Sequence, residues 1–347
     1  MPQTVFYSYP VYASFVKNDE QLFKKHFRVK SHYFVQTKQM LLFSFIKQFS
    51  IILWWLPRTD IYISFFAGYS SFLPGVFSKI TGKPHLIILG GTDCSSFPSI
   101  NYGSFSKKIL GWFTGTSLKM ATRLAPVAET LIDAPNTYYD KDYPRQGYIN
   151  FCSASREKST VVHIGYNSEM FYSGAEKKEK TFLTVANMTA ANYFRKGIDL
   201  IFEMATRFPD CTYTIVGNSA DIKYGAIPQN IYLLPFIKYE ELKNLYSTHQ
   251  FYFQLSIMEG FPSAPCEAML CECVPITSNV GALPVIVGDT GFILDKRDAD
   301  QLEKIIQTAL NADVKYLGKQ ARERIIREFP LSTRDKLIEI IKQMIQA

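Results

Sequence analysis

Histidine is scarce in this chain: five in 347 residues, at 26, 32, 85, 163 and 249, scattered and in no arrangement with Ser or Cys that suggests a hydrolytic triad. The six cysteines, at 94, 152, 211, 266, 271 and 273, lack the spacing of a disulfide framework. That excludes a small stapled scaffold and fits a reducing compartment. Cys266, Cys271 and Cys273 lie close in sequence, but helical spacing would spread them over different faces and no His is near, so they read as small apolar residues and no metal site is expected. The N-terminal MPQTVFYSYP does not have the basic-then-apolar layout of a secretory signal, and a cytoplasmic protein is the expectation. No internal repeat or low-complexity tract is present.

Long uninterrupted apolar runs are missing as well. The nearest approach, QMLLFSFIKQFSIILWWL at 39–56, holds Lys47 at its middle and is followed at once by the turn and strand PRTDIYISFF. It reads as a helix packed on a sheet rather than a membrane span. A further reading sets Lys38 and Lys47 beside exposed Phe and Trp, with the helix lying on a membrane face.

What the chain does have is a folded protein's composition, 47% hydrophobic and 20% charged, unusually rich in Phe (27) and Tyr (21). Its length leads to an expectation of two compact domains. Net charge is +7, and residues 1–50 carry seven basic groups against only Asp19 and Glu20. Such a surface favours an anionic partner. Nucleic acid is not expected, because no reading-helix or zinc signature accompanies the charge; an anionic membrane surface or a phosphorylated substrate remains.

Short β-rich runs alternate with helical patterns, the signature of parallel sheets covered by helices on both faces. Strands are expected at 4–9, 29–35, 61–66, 85–89, 123–128 and 159–165, then at 181–187, 212–217, 231–234, 251–256, 273–278 and 291–294. Two doubly wound units follow, with the lysine-rich SGAEKKEK (173–180) as linker. Past residue 301 the pattern is helical, breaks at Pro330, and resumes in a last helix from about 333, capped by Ser332, with Ile338, Ile341 and Ile345 along one side.

The stretch SIMEGFPSAPCEAML (256–270) sets Glu259 directly after strand FYFQLS, at its carboxyl end, where open α/β sheets bind ligands. Gly260 lets the backbone turn, Phe261 and Pro262 fix the loop, and Ser263 caps the helix that carries Glu267. The first amides of that helix form a site for phosphate. Carboxylates beside such a site suit sugar hydroxyls, which donate to ionised acids: Glu267 a ribose, Glu259 the transferred sugar. A plain helix cap with one exposed acid is the structural alternative.

Residues 231–294 resemble the donor-binding core of family 4 retaining glycosyltransferases of the GT-B fold. The E-x7-E spacing, the following EAM, the VPI strand and VGALPVIVGDTGF stand in that family's order, and VVHIGYNSEMF (161–171) resembles its lead into the second domain. The resemblance implies two Rossmann-like doubly wound domains facing across a crevice. The acceptor half would be 1–172, the nucleotide-sugar half 173–330, and 331–347 a C-terminal helix crossing back to the first domain. It implies a nucleotide diphosphate sugar donor, most fittingly UDP-linked, and a glycan or lipid-linked acceptor. Attack would come on the face the diphosphate leaves, with no metal and no cofactor.

In the family a basic residue after the domain's first strand holds the pyrophosphate, and VANMTAANYFRKGIDL matches it at Lys196-Gly197. Asn187 stands where an Arg is usual, with Arg195 as its substitute. Glu259, Lys196 and Arg195 are the expected catalytic group. Glu267, Gly260, Phe261, Pro262 and Ser263, with Asn187, Gly217 and Phe236 at the ends of three further strands, complete the donor-binding set. In the first half, Gly90, Gly91, Thr92 and Asp93 follow strand HLIIL as crevice residues, with Gly90 in place of the family's His; no glycine loop follows the first strand. Asp140 and Asp142 have the spacing of a manganese site but sit in a polar turn, NTYYDKDYPR. The departures at Gly90 and Asn187 support an alternative from another class, a catalytically silent membrane-docked scaffold. An epimerase or phosphorylase of the same fold fits the 256–294 pattern less well. The expected location is cytoplasmic, peripheral on the inner face of the membrane.

Overall fold

The computed structural model describes residues 2–218, 222 and 224–347. They form two compact units. The first comprises 2–135, 142–164 and 332–347, the second 136–141 and the described residues of 165–331.

The first unit is built on five parallel strands, β1 (Thr4–Tyr9), β2 (Arg28–Tyr33), β3 (Ile61–Phe65), β4 (His85–Leu89) and β5 (Arg123–Pro126), in the order β2-β1-β3-β4-β5. The inner strands TVFYSY, IYISF and HLIIL are buried along their whole length, as continuous apolar runs must be when helices cover both faces, while edge strand RVKSHY is mostly open. The covering helices are α1 (Ser14–His26), α2 (Leu41–Trp55), α3 (Tyr69–Thr81) and α4 (Lys108–Met120). A separate antiparallel pair joins β6 (Ala134–Pro135) to β7 (Arg145–Gln146).

Residues 159–165 do not form the expected sixth strand. Thr160 and Val162 donate to the carbonyls of Leu124 and Pro126, but Pro126 has no N–H to return a bond, and the Val162 carbonyl accepts from Arg334 instead.

The second unit carries six parallel strands: β8 (Lys178–Val185), β9 (Thr212–Val216), β10 (Ile231–Leu234), β11 (His249–Gln254), β12 (Val274–Ser278) and β13 (Phe292–Leu294). Their order, β10-β9-β8-β11-β12-β13, reverses between β8 and β11. Helices α5 (Ala190–Arg195), α6 (Ile198–Arg207), α7 (Tyr239–Thr248), α8 (Ser263–Leu270), α9 (Leu283–Val287), α10 (Ala299–Leu310) and α11 (Val314–Glu328) connect and cover the strands. At the centre of the sheet the Phe182 ring stacks on those of Tyr213, Phe251 and Phe253, 4.8–5.1 Å between centroids.

Three expectations need correction. The chain passes into the second unit after Ile164, not after residue 172, because Tyr166 donates to the Phe329 carbonyl and Gly165 packs against Pro330 without room for a Cβ. The stretch 173–180 is no free linker. Residues 178–180 already belong to β8, and the Lys177 ammonium donates to the carbonyls of Tyr246 and Cys271 at 2.8 and 2.6 Å. The last helix, α12 (Asp335–Gln346), starts after a 3-10 turn at Leu331–Arg334 that contains Ser332, so Ser332 caps nothing. Its inward face is Leu337, Ile338, Ile340, Ile341 and Met344, with Ile345 at the margin.

Candidate active site

The carboxyl ends of β8 and β11 lie side by side where the strand order reverses, the place at which a crevice opens in a doubly wound sheet. From β8 the chain runs through Asn187 into α5. Asn192 donates to the Asn187 carbonyl at 2.6 Å and receives two bonds from the Arg195 guanidinium, at 3.1 and 2.8 Å. Gly197 then breaks α5 from α6 in the left-handed conformation, φ 71, where a Cβ would overlap the Leu255 carbonyl. The Ile257 amide donates to the Arg195 carbonyl at 2.8 Å, locking the end of α5 to the loop that leaves β11.

This close approach brings Lys196 to Glu259. The ammonium donates to Oε1 in an ion pair whose side chains are only 16% and 12% exposed. The Gln254 side-chain amide donates to the same oxygen at 2.9 Å. Burial pushes the Glu259 carboxyl up, but the charges of Lys196 and Arg195 outweigh it and hold it below the usual carboxylate range.

Glu267 is in the opposite condition. Among the described residues its carboxylate is bonded by the Tyr246 hydroxyl at 3.3 Å with no cation beside it, and desolvation pushes its pKa up to about 7. The two glutamates of E-x7-E therefore differ in charge near neutral pH, which the expectation of two ionised acids did not distinguish.

Between them α8 begins. Its N-cap is Pro262, with no side-chain cap bond, and Ser263 is its first helical residue, not its cap. Among the described residues no N-cap side chain satisfies the positive end of the helix. Phe261 is buried against Tyr166 and Phe329 and anchors the loop rather than lining it.

The backbone freedom expected of Gly260 lies elsewhere. Gly281 has φ 56, and a Cβ there would overlap the Glu259 carbonyl, so this glycine lets the loop after β12 support the Glu259 turn. Gly217, φ 96, packs in the same manner against the Ala186 carbonyl, holding the loop after β8 to β9. Phe236, in the loop after β10, is 89% exposed.

Sequence reasoning missed Gln254, Tyr246 and Gly281. Gln254 had a signal: it is the polar residue of the otherwise apolar FYF, buried at 4% exposure, and buried polar groups need partners.

In the first unit, Gly90, Gly91, Thr92 and Asp93 do sit at the carboxyl end of β4. The Asp93 carboxylate is nevertheless committed to backbone, accepting from the amides of Ala67, Gly90 and Gly91 at 2.9–3.1 Å, which makes it a tie for the loop. Thr92 pairs with the Tyr102 hydroxyl. Asp142 accepts from the Ser99 amide and hydroxyl. Among the described residues no group of three His, Cys, Asp or Glu is arranged to hold a metal ion, and all six cysteines are unpaired.

Residues 167–327 match the family described as glycosyl transferases group 1. Over 80 residues, 23% of this chain and 21% of the relative, the sequence is 35% identical to O-antigen chain mannosyltransferase B of Escherichia coli. The chain spans well under half the length of the curated relatives it matches. Across 99% of both chains the fold is that of sucrose-phosphate synthase from Thermosynechococcus elongatus, TM-score 0.74 at 16% identity. The structure of Anabaena HepE in complex with UDP and glucose is similar over 99% of this chain and 100% of that one, TM-score 0.72 at 12% identity. The fold is GT-B, two α/β units with parallel sheets.

Proposed function

We propose that this chain, whose second unit carries the group 1 glycosyl transferase match, is a retaining glycosyltransferase using a nucleotide diphosphate sugar, UDP-linked, as donor. The acceptor is a glycan or a lipid-linked sugar, recognised chiefly by the first unit. One observation carries this reading: the largely buried Lys196–Glu259 pair stands at the β8/β11 reversal beside the start of α8, whose N-cap makes no side-chain bond, so cationic and anionic groups meet at the carboxyl end of the sheet's centre.

In this reading the leaving diphosphate is received by Lys196, Arg195 and the first amides of α8, which supply positive charge already in place before the bond breaks. Glu259 accepts from hydroxyls of the transferred sugar and orients it. Glu267 grips the ribose, and exposed Phe236 offers a face to the base. No side chain acts as nucleophile. The departing phosphate takes the acceptor's proton as the acceptor oxygen attacks on the same face. Because protein cations neutralise the diphosphate, no metal is needed.

The relatives support the substrate classes, one being named for O-antigen chain mannose transfer and one holding UDP and glucose. The test is a thermal-shift screen of nucleotide sugars followed by transfer assays with and without EDTA. A rise in melting temperature with UDP-sugars and EDTA-insensitive transfer are expected. Loss of activity in EDTA with recovery on manganese would remove the metal-free mechanism.

A silent scaffold is the second reading, and position 90 favours it: the family's His is absent there, and the Phe66 ring fills the space a side chain would need. Release of UDP from UDP-sugar in the absence of acceptor separates the two, since a scaffold releases none.

A further inference from the structure

Helix α2 is turned inside out for a helix on a soluble protein. Its buried residues are Ser44, Gln48 and Ile52, and the Gln48 amide donates to the Ser8 hydroxyl and the Ser70 carbonyl at 2.9 and 2.8 Å. Its outward stripe, at spacings of three and four, is Leu42, Ile46, Phe49 and Leu53, 47–73% exposed, flanked by Phe43 at 57% and Trp54 at 74%. Rings connect α2 and α3 to α4: Phe45 of α2 lies 5.5 Å from Phe113, and Phe72 of α3 5.7 Å from Trp112. Trp112 and Ile109 there are 59% and 68% exposed. One contiguous apolar face results, larger than scattered surface residues produce.

Cations surround it. The Arg28 guanidinium and Lys30 ammonium sit 5.3 and 5.4 Å from the Trp55 ring, Lys47 rises from α2 itself, and Lys107 and Lys108 open α4. Residues 21–128 contain 13 Lys and Arg and only two acids, Asp60 and Asp93. Asp60 accepts from the Thr4 amide and Asp93 from three others, so both carboxylates are tied to backbone.

We infer that this face docks the protein on an anionic lipid bilayer, with α2 lying in the interfacial plane and its apolar stripe among the acyl chains. An apolar stripe beside tryptophans and a lysine rim is the chemistry of that interface, where indole rings settle at headgroup level and cations meet lipid phosphate. All three tryptophans of the chain, Trp54, Trp55 and Trp112, lie on α2 or α4. At 15 residues with Lys47 central, α2 lies on a membrane and does not cross it; among the described residues no helix is long and apolar enough to cross. The inference is independent of the transfer chemistry, and its test reads no activity.

The full chain is sedimented with vesicles of phosphatidylcholine alone and of phosphatidylcholine mixed with phosphatidylglycerol, while tryptophan emission is followed. Binding to the mixed vesicles only, with a blue shift, is the expected result. A Phe43→Ser, Ile46→Ser, Leu53→Ser variant, with melting temperature unchanged because these side chains are exposed, should partition at least about tenfold less. A Lys47→Glu, Lys108→Glu variant should lose the preference for the anionic vesicles. Absence of binding to either vesicle overturns the inference, as does a serine variant that binds like the parent. A dimer in sedimentation velocity that the serine variant abolishes, without vesicle binding, assigns the face to a second copy instead and also overturns it.

Discussion

The ring of Phe66 occupies the space that a side chain at position 90 would need. The two residues end neighbouring strands of the first sheet, and Phe66 holds a left-handed backbone, φ 66, that presents its ring to Gly90. Gly90→His should therefore lower stability by about 1–3 kcal/mol through overpacking. Phe66→Gly added to Gly90→His should recover much of it, since glycine takes that φ without strain. Thermal melts of the three proteins decide the matter, and equal melting of single and double variants would show that ring and position do not compete.

Lys196→Ala should reduce turnover on the order of a hundredfold at saturating donor, the loss expected of one strong electrostatic donor to a leaving group. Glu259 would remain bonded to Gln254 and near Arg195, so the fold should hold. Steady-state kinetics with circular dichroism as a control test this. An unchanged kcat would take Lys196 out of the mechanism.

Glu267 sets a pH dependence with a definite sign. Its folded pKa of about 7 lies above the model-peptide value, so the stability it contributes is complete below about pH 4.3 and is lost as pH rises through about 7. Glu267→Gln should consequently be more stable than the parent at pH 8 by roughly 3 kcal/mol and nearly equal to it at pH 4.5, by denaturant melts at both values. If the carboxylate grips ribose, nucleotide binding by the parent should weaken about tenfold from pH 8 to pH 6, measured by titration calorimetry, and the Gln variant should show no such slope. A parent with flat affinity across that range would count against a ribose contact.

Arg334 reaches back from the start of α12 to Asp19 on α1, both nearly fully buried, with a further bond to the Val162 carbonyl at 3.0 Å. Arg334→Met alone should cost about 3–5 kcal/mol because it leaves a buried carboxylate unpaired. Asp19→Leu combined with Arg334→Met should regain most of that. Hydrogen exchange over 335–346 should quicken in the single variant, and an unaltered rate would mean that α12 is held by its apolar face alone.

Gly281→Ala should lower kcat/KM by about tenfold or more and also cost roughly 2–4 kcal/mol in stability, since left-handed strain and a Cβ forced on backbone add. Its Cβ would press on the Glu259 carbonyl and displace the turn that aims the carboxylate. Kinetics and melts of the same preparation separate the two effects, and a loss confined to stability would refute a positioning role.

Much of the second unit was legible because its information is local. The strands FYFQLS, CVPITS and GFIL are short apolar runs, and Glu259, Pro262 and Glu267 follow one of them at fixed spacing, so the turn and helix are set by neighbouring residues. Lys196 could be placed near them only through the family's pattern, since 63 residues separate it from Glu259 and it is the Gly197 contact with Leu255 and the Ile257–Arg195 backbone bond that bring the loops together. Less legible were the edges. Residues 159–165 look like a strand, and what denies them one is Pro126 on the neighbour and Arg334 from the far end of the chain.

The amino-acid order alone determined the alternation of strands and helices, the two sheets and the glutamate spacing, because residue periodicity and turn chemistry act within a few positions. Tertiary structure decided which face of α2 meets solvent, which of the two glutamates keeps its proton near neutrality, and that Asp93 binds backbone instead of ligand. Those outcomes depend on burial and on charges brought from distant segments, and the field at a side chain is a sum over neighbours in space.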